Sequence, residues 1–170
     1  MAFDSPDCVV YQVRARHRNE EVREVIGEDY AGLLGTDRGK SYDAKELSQV
    51  KQQKCVGHIL RNLAGVLAHK QGRACDFAGT LKTLLQEALE LYRAFHDPQQ
   101  PLRDEARQVR ALELAVSYHL RPRSLPDADN QRLLDELGWH HERGNLLRFL
   151  HEPTVIEPTN NYLLTLMEWP

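Results

Sequence analysis

Apolar residues follow two rhythms along this chain of 170 residues. Over the first 70 or so positions they form short clusters between polar segments; from Ala74 to about Leu150 they return every three or four residues. The run Cys8-Val9-Val10-Tyr11-Gln12-Val13-Arg14-Ala15 is rich in β-branched and aromatic side chains and predicts a strand. Asn19 suits an N-cap, Val22, Val25 and Ile26 share one helical face, and Gly27 suits the residue after a helix, so a short helix is predicted over 19–26. Leu33-Leu34-Gly35-Thr36 then predicts a buried strand that delivers Asp37 at its C-terminal end. Strand, helix and strand in this order suggest an α/β unit, which needs more than two strands to be stable. Positions 42–50 are polar with a weak helical pattern, and Gln52 to Leu63 passes from a short strand into a helix.

The second half reads as helix throughout. Phe77, Leu81, Leu84, Ala88, Leu91 and Phe95 form one stripe, closed by Asp97-Pro98. Leu102, Ala106, Val109, Leu112, Val116 and Leu120 form a second, closed by Arg121-Pro122. A third helix is predicted from about Asp127 through Leu133, Leu134 and Leu137, with Gly138 and Gly144 as places to kink or break before Leu146-Leu147-Arg148-Phe149-Leu150. Facing stripes joined by short polar loops predict a small antiparallel bundle, held by core packing. Glu157-Pro158-Thr159-Asn160-Asn161 predicts a turn and a final helix from near Thr159, leaving Leu163, Leu164, Leu166, Met167 and Trp169 as an apolar stub.

Composition narrows the setting. Hydrophobic residues at 41% and charged ones at 28% describe an ordinary globular protein, and no apolar run reaches the roughly 18 residues of a membrane span. With no signal-peptide character at the N-terminus, the expected location is the cytoplasm. A net charge of −3 gives no bulk attraction to nucleic acid, so any DNA contact must come from local clusters. Three are visible: Arg14, Arg16, His17 and Arg18; Arg38 with Lys40; and Arg121 with Arg123. Cys8, Cys55 and Cys75 are odd in number and irregularly spaced, which suggests reduced thiols.

Two candidate sites stand out on residue chemistry. Asp37, at the carboxyl end of a predicted strand, sits where ligands gather in open α/β sheets and is a candidate ligand for a divalent metal; the alternative is an Asp that caps the turn after the strand. Cys55 and His58 are three residues apart and share a face if both are helical. Zinc needs four ligands, and the other donors, Cys75, His119, His140 and His141, are scattered, so a buried hydrogen-bonded His beside a packed Cys is the simpler account.

Three stretches in order, Thr36-Asp37-Arg38-Gly39-Lys40-Ser41-Tyr42, the Cys55-x-x-His58-x-x-Arg61 run, and Arg148-Phe149-Leu150 leading to Glu157-Pro158-Thr159-Asn160-Asn161, together resemble the DDE-type transposases of bacterial insertion sequences, in particular the insertion-sequence sixty-six family. The similarity runs from about Val9 to Asn161. It implies an α/β fold: an incomplete ribonuclease-H-like sheet of few strands over 1–70, a large all-helical insertion over 71–150, and the start of the final core helix over 151–170. It also implies DNA as partner, at transposon ends, and Mg2+ or Mn2+ as cofactor, because phosphodiester hydrolysis and strand transfer use two metals held by three carboxylates.

On that resemblance Asp37 is the second carboxylate, catalytic and metal-binding. Arg38, Lys40, Cys55, His58, Arg61, Asn160 and Asn161 are implied to support it or to contact DNA. Two departures stand out. The strand bearing the first Asp would precede this chain, and position 164, three after Asn161, is Leu where the pattern has Glu; Glu168 lies one turn further on. The expectation is therefore a transposase-derived chain, truncated at both ends and catalytically incomplete alone, able to associate with a full-length transposase. The alternative is a non-catalytic interaction or regulatory helical protein, with zinc as one variant.

Overall fold

In a computed structural model, the described residues are 18–27, 29–99 and 104–159, together with the backbone of 2–5 and 8–11. Their elements, in order, are β1 (Ala2–Ser5), β2 (Cys8–Tyr11), α1 (Asn19–Ile26), β3 (Leu33–Thr36), β4 (Lys51–Lys54), α2 (Val56–Leu67), α3 (Asp76–Phe95), α4 (Glu105–His119) and α5 (Ala128–Glu142). Short 3-10 turns at Lys40–Tyr42 and Lys45–Leu47 replace the weak helix expected there.

The strands form two pairs. β1 and β2 run antiparallel, with Ala2 opposite Tyr11, so the N-terminal strand has a hairpin partner that its sequence did not announce. β3 and β4 run parallel, Leu33 opposite Lys51 and Thr36 opposite Lys54. Among the described residues no strand joins the two pairs, so the α/β unit is present only as a two-stranded parallel sheet.

β3 alternates as expected: Leu34 and Thr36 are buried and Gly35 is exposed. β4 is the less obvious strand, because Lys51-Gln52-Gln53-Lys54 contains no β-branched or aromatic residue. Long-range hydrogen bonds hold it. Gln53 donates Nε2 to the Leu146 carbonyl at 2.9 Å and accepts the Phe149 N–H at 3.2 Å, while the Lys54 N–H reaches the Asn145 carbonyl at 2.7 Å. β4 is thereby sandwiched between β3 and the 145–150 segment.

α1 starts at Asn19 itself. Arg18 takes the N-cap place, where its N–H donates to Glu21 Oε2 at 3.0 Å, and Asn19 Nδ2 instead ties the helix to the Ser41 carbonyl at 2.9 Å. Gly27, at φ 79°, ends the helix as expected. Asp127 caps α5 by accepting the Asn130 N–H at 3.0 Å. Gly138 does not kink α5, which runs unbroken to Glu142; a Cβ there would come 3.3 Å from the Leu120 carbonyl, so its role is close approach to the end of α4.

Val56, Ile59 and Leu63 of α2 share one core with the stripes of α3, α4 and α5, with Phe149 and with Ile156. The helical segment therefore packs directly on α2. Ala106, read as part of the α4 stripe, is exposed, while Leu102 lies outside the described residues. A smaller cluster of Val22, Leu34, Tyr42 and Leu47 seats α1 against the sheet. No helix among the described residues is long and apolar enough to cross a membrane. The predicted final helix and its apolar stub lie outside the described residues.

Candidate functional site at the carboxyl edge of the parallel sheet

Because β3 and β4 are parallel, both deliver the residue that follows them to the same edge: Asp37 after β3 and Cys55 after β4. The Cys55 N–H donates to the Thr36 carbonyl at 2.7 Å, which fixes the two chain exits side by side. The Val56 N–H donates to the Pro158 carbonyl at 2.8 Å, and a Cβ on Gly57 would lie 3.6 Å from the Thr159 methyl. Stretches separated by up to a hundred or so positions thus converge on one edge.

Asp37 is half-buried, and its Oδ1 accepts the Gly39 N–H at 2.7 Å, the turn-capping geometry weighed from the sequence. Gly39 leaves room for this contact: a Cβ there would fall 2.8 Å from Asp37 Oδ1 and 3.3 Å from the Tyr42 ring, so the carboxylate would have to move aside. Burial, and then the nearby Asp37 charge, push the Tyr42 hydroxyl up to about 12.

A cleft of about 1110 Å3 opens beside this edge, between the Arg38–Ala44 loop and α5. Arg38, Asp43 and Glu136 on its wall are each paired. Arg38 grips Glu136 through both Nε, at 2.7 Å from Oε1, and Nη2 on Oε2. Burial works to raise the Glu136 pKa, and the Arg38 contact outweighs it, leaving the carboxyl below its ordinary value. Lys54, wholly buried, holds Asp43 Oδ1 at 2.7 Å; burial lowers its pKa while Asp43, Asp37 and Glu136 pull it back up. His140, 1% exposed, has Nε2 3.8 Å from Asp43 Oδ2. Burial and the Lys54 charge bring its pKa down to about 4, so the imidazole is neutral near pH 7.

The other sequence candidates divide. Lys40 lines the cleft and is exposed. Cys55 is buried and precedes α2, so the same-helix-face reading of Cys55 and His58 does not hold; the His58 N–H donates to the Cys55 carbonyl at 3.1 Å instead. His58 is half-buried, with Nδ1 unpartnered, and Arg61 is exposed. Asn160 and Asn161 lie outside the described residues. Asp43, Lys54 and Glu136 were not singled out from the sequence, since each gains its meaning from a partner brought in by the fold; His140, weighed there as a scattered zinc donor, instead lies buried beside Asp43.

A pair of divalent ions asks for several carboxylate oxygens facing one space. Among the described residues no three His, Cys, Asp or Glu side chains gather in that way. Asp43 is occupied by Lys54 and Glu136 by Arg38, while Asp135, on the same cleft wall, accepts from Gln131 Nε2 at 2.7 Å. The described residues do not fit a two-metal centre, and among them the zinc variant finds no donor set either.

Residues 1–163 match the family described as Transposase IS66 family. No curated protein and no solved structure matches the chain.

Proposed function

Since the chain belongs to the IS66 transposase family, we propose that it is a transposase-derived, DNA-directed protein whose own residues do not carry out phosphodiester cleavage. Asp37 is the position of the family's second metal-binding carboxylate, held here at a strand end by its turn. The neutralised surroundings carry this reading: Asp43 and Glu136, two acidic side chains of the cleft wall, are engaged by Lys54 and Arg38. Leu164, where the resemblance expects a Glu, supports it as well. The Mg2+ or Mn2+ chemistry of the family then has one ligand among the described residues, too few to grip two ions.

On this reading residues 1–70 are part of a ribonuclease-H-like core, 71–150 its helical insertion and 151–170 the start of the last core helix. Arg38, Lys40, Cys55, His58, Arg61, Asn160 and Asn161 then serve as supports of the Asp37 edge or as DNA contacts. Incubating the chain with supercoiled plasmid carrying the ends of an insertion sequence of this family, with Mg2+ or Mn2+, tests the central point. No nicking is expected; metal-dependent nicking abolished by Asp37→Ala overturns the reading.

One observation favours a second role beside the first. Leu114 and Tyr118, one turn apart on α4, are 60% and 68% exposed. An apolar pair on an outward helix face supports association with a full-length transposase. Co-purification of the two chains, lost in Leu114→Glu/Tyr118→Glu, is the expected result.

A further inference from the structure

A second hollow, of about 390 Å3, shares Asp43 and Trp139 with the cleft beside Asp37. Four cations line it: Lys45, Lys51, Arg143 and Arg148. The single acidic residue on its wall, Asp43, is engaged by the buried Lys54. Among the described residues the Lys45 and Lys51 side chains make neither an ion pair nor a hydrogen bond, and both residues are exposed.

The two arginines are held in place. The Arg143 guanidinium carbon lies 3.6 Å from the Trp139 ring centroid. Arg148 Nε donates to the Gln52 carbonyl at 3.3 Å, with its Nη2 close beside Gly144. A hollow with two oriented guanidiniums, two unpaired ammoniums and no unengaged carboxylate carries a local positive potential that favours an anion. It occurs on a chain whose net charge is −3, so it is a local concentration, not a sample of a basic surface.

The geometry points to this hollow as a phosphodiester clamp for duplex DNA, formed by Lys45, Lys51, Arg143 and Arg148. The proposal rests on the DNA-directed reading above and adds where the backbone is held. Lys51 opens β4, and Lys54 ends it opposite Thr36, next to Asp37. Of the four cations, Lys51 therefore stands about one short strand, roughly 10 Å, from the Asp37 edge, or about three base-pair steps along a duplex axis. Contacts of this kind set register and orientation and read no sequence.

Fluorescence anisotropy of the full chain with a labelled duplex of about 20 base pairs, at about 50 and about 200 mM NaCl, tests it. Each lost phosphate contact lowers the salt slope by about 0.9, so the wild-type chain should weaken about 40-fold more across that range than Lys45→Gln/Lys51→Gln/Arg143→Gln. Arg93→Gln/Arg107→Gln/Arg110→Gln removes the same charge from exposed positions elsewhere and should keep the wild-type slope. Equal effects of the two triple variants, or tighter binding to an RNA duplex of the same sequence, overturn the clamp while leaving nucleic-acid binding intact. A wild-type chain that binds no duplex overturns the DNA-directed reading together with it.

Discussion

Lys54 Nζ lies 2.7 Å from Asp43 Oδ1, with the lysine side chain wholly buried and the aspartate 21% exposed. The asymmetry decides which partner matters more to the fold. Asp43→Asn leaves an ammonium buried without its counter-charge and should cost about 3 to 5 kcal/mol. Lys54→Met removes the buried charge and leaves a carboxylate that water still reaches, and should cost about 1 kcal/mol or less. Urea unfolding midpoints of the two variants at pH 7 check the order; an equal or reversed order contradicts it.

His140 makes stability depend on pH. Its folded pKa of about 4 lies below the ordinary histidine value of 6.5, so between those values the unfolded chain binds more protons than the folded one. The stabilisation is fully present above pH 6.5 and is lost as the pH falls towards 4, a change of roughly 3 kcal/mol for this group. His119 and His141 shift in the same direction, chiefly through burial, and add to the slope. Chemical denaturation at steps between pH 7 and pH 4 should show this fall, and His140→Gln should make it shallower.

Gly39 fixes the aim of Asp37. A methyl group there would fall within 2.8 Å of the carboxylate oxygen that caps the turn. Gly39→Ala should therefore break the Asp37 Oδ1 to Gly39 N–H contact and cost about 1 to 3 kcal/mol, whereas Asp37→Asn, which keeps an acceptor, should cost less than about 1. Thermal melting of the two variants distinguishes them.

Arg38 and Glu136 join the Asp37 loop to α5 across 98 positions of sequence. A bidentate, partly buried contact of this kind should give a coupling of about 1 to 3 kcal/mol in a double-mutant cycle of Arg38→Ala and Glu136→Ala. Coupling near zero would mean that the loop and α5 are held together by something else.

What the sequence made legible was local. The strand ending at Asp37 showed in the alternation of Leu34 and Thr36, and the three long helices in stripes whose members, such as Leu81, Leu112 and Leu137, are buried. What it hid was long-range. β4 is a strand because Gln53 bonds Leu146 and Phe149 more than ninety positions away, although its own residues have little strand preference. Asp43 and Glu136 looked like ordinary polar residues, and His140 like a scattered zinc donor, until the fold set Lys54 and Arg38 among them. The four cations of the second hollow come from separate stretches and formed no visible cluster, whereas Arg38 and Lys40, adjacent in sequence, did. Asn19 looked like a cap because Asn often is one; its side chain had a better partner in the Ser41 carbonyl.

Titrating the chain with Mn2+ while following the free-ion signal by electron paramagnetic resonance tests most directly whether Asp37 stands alone. The account predicts no pair of bound ions at Mn2+ concentrations up to about 1 mM, and the same curve for wild type and Asp37→Ala. Two ions bound per chain below that concentration, and lost in Asp37→Ala, would contradict it.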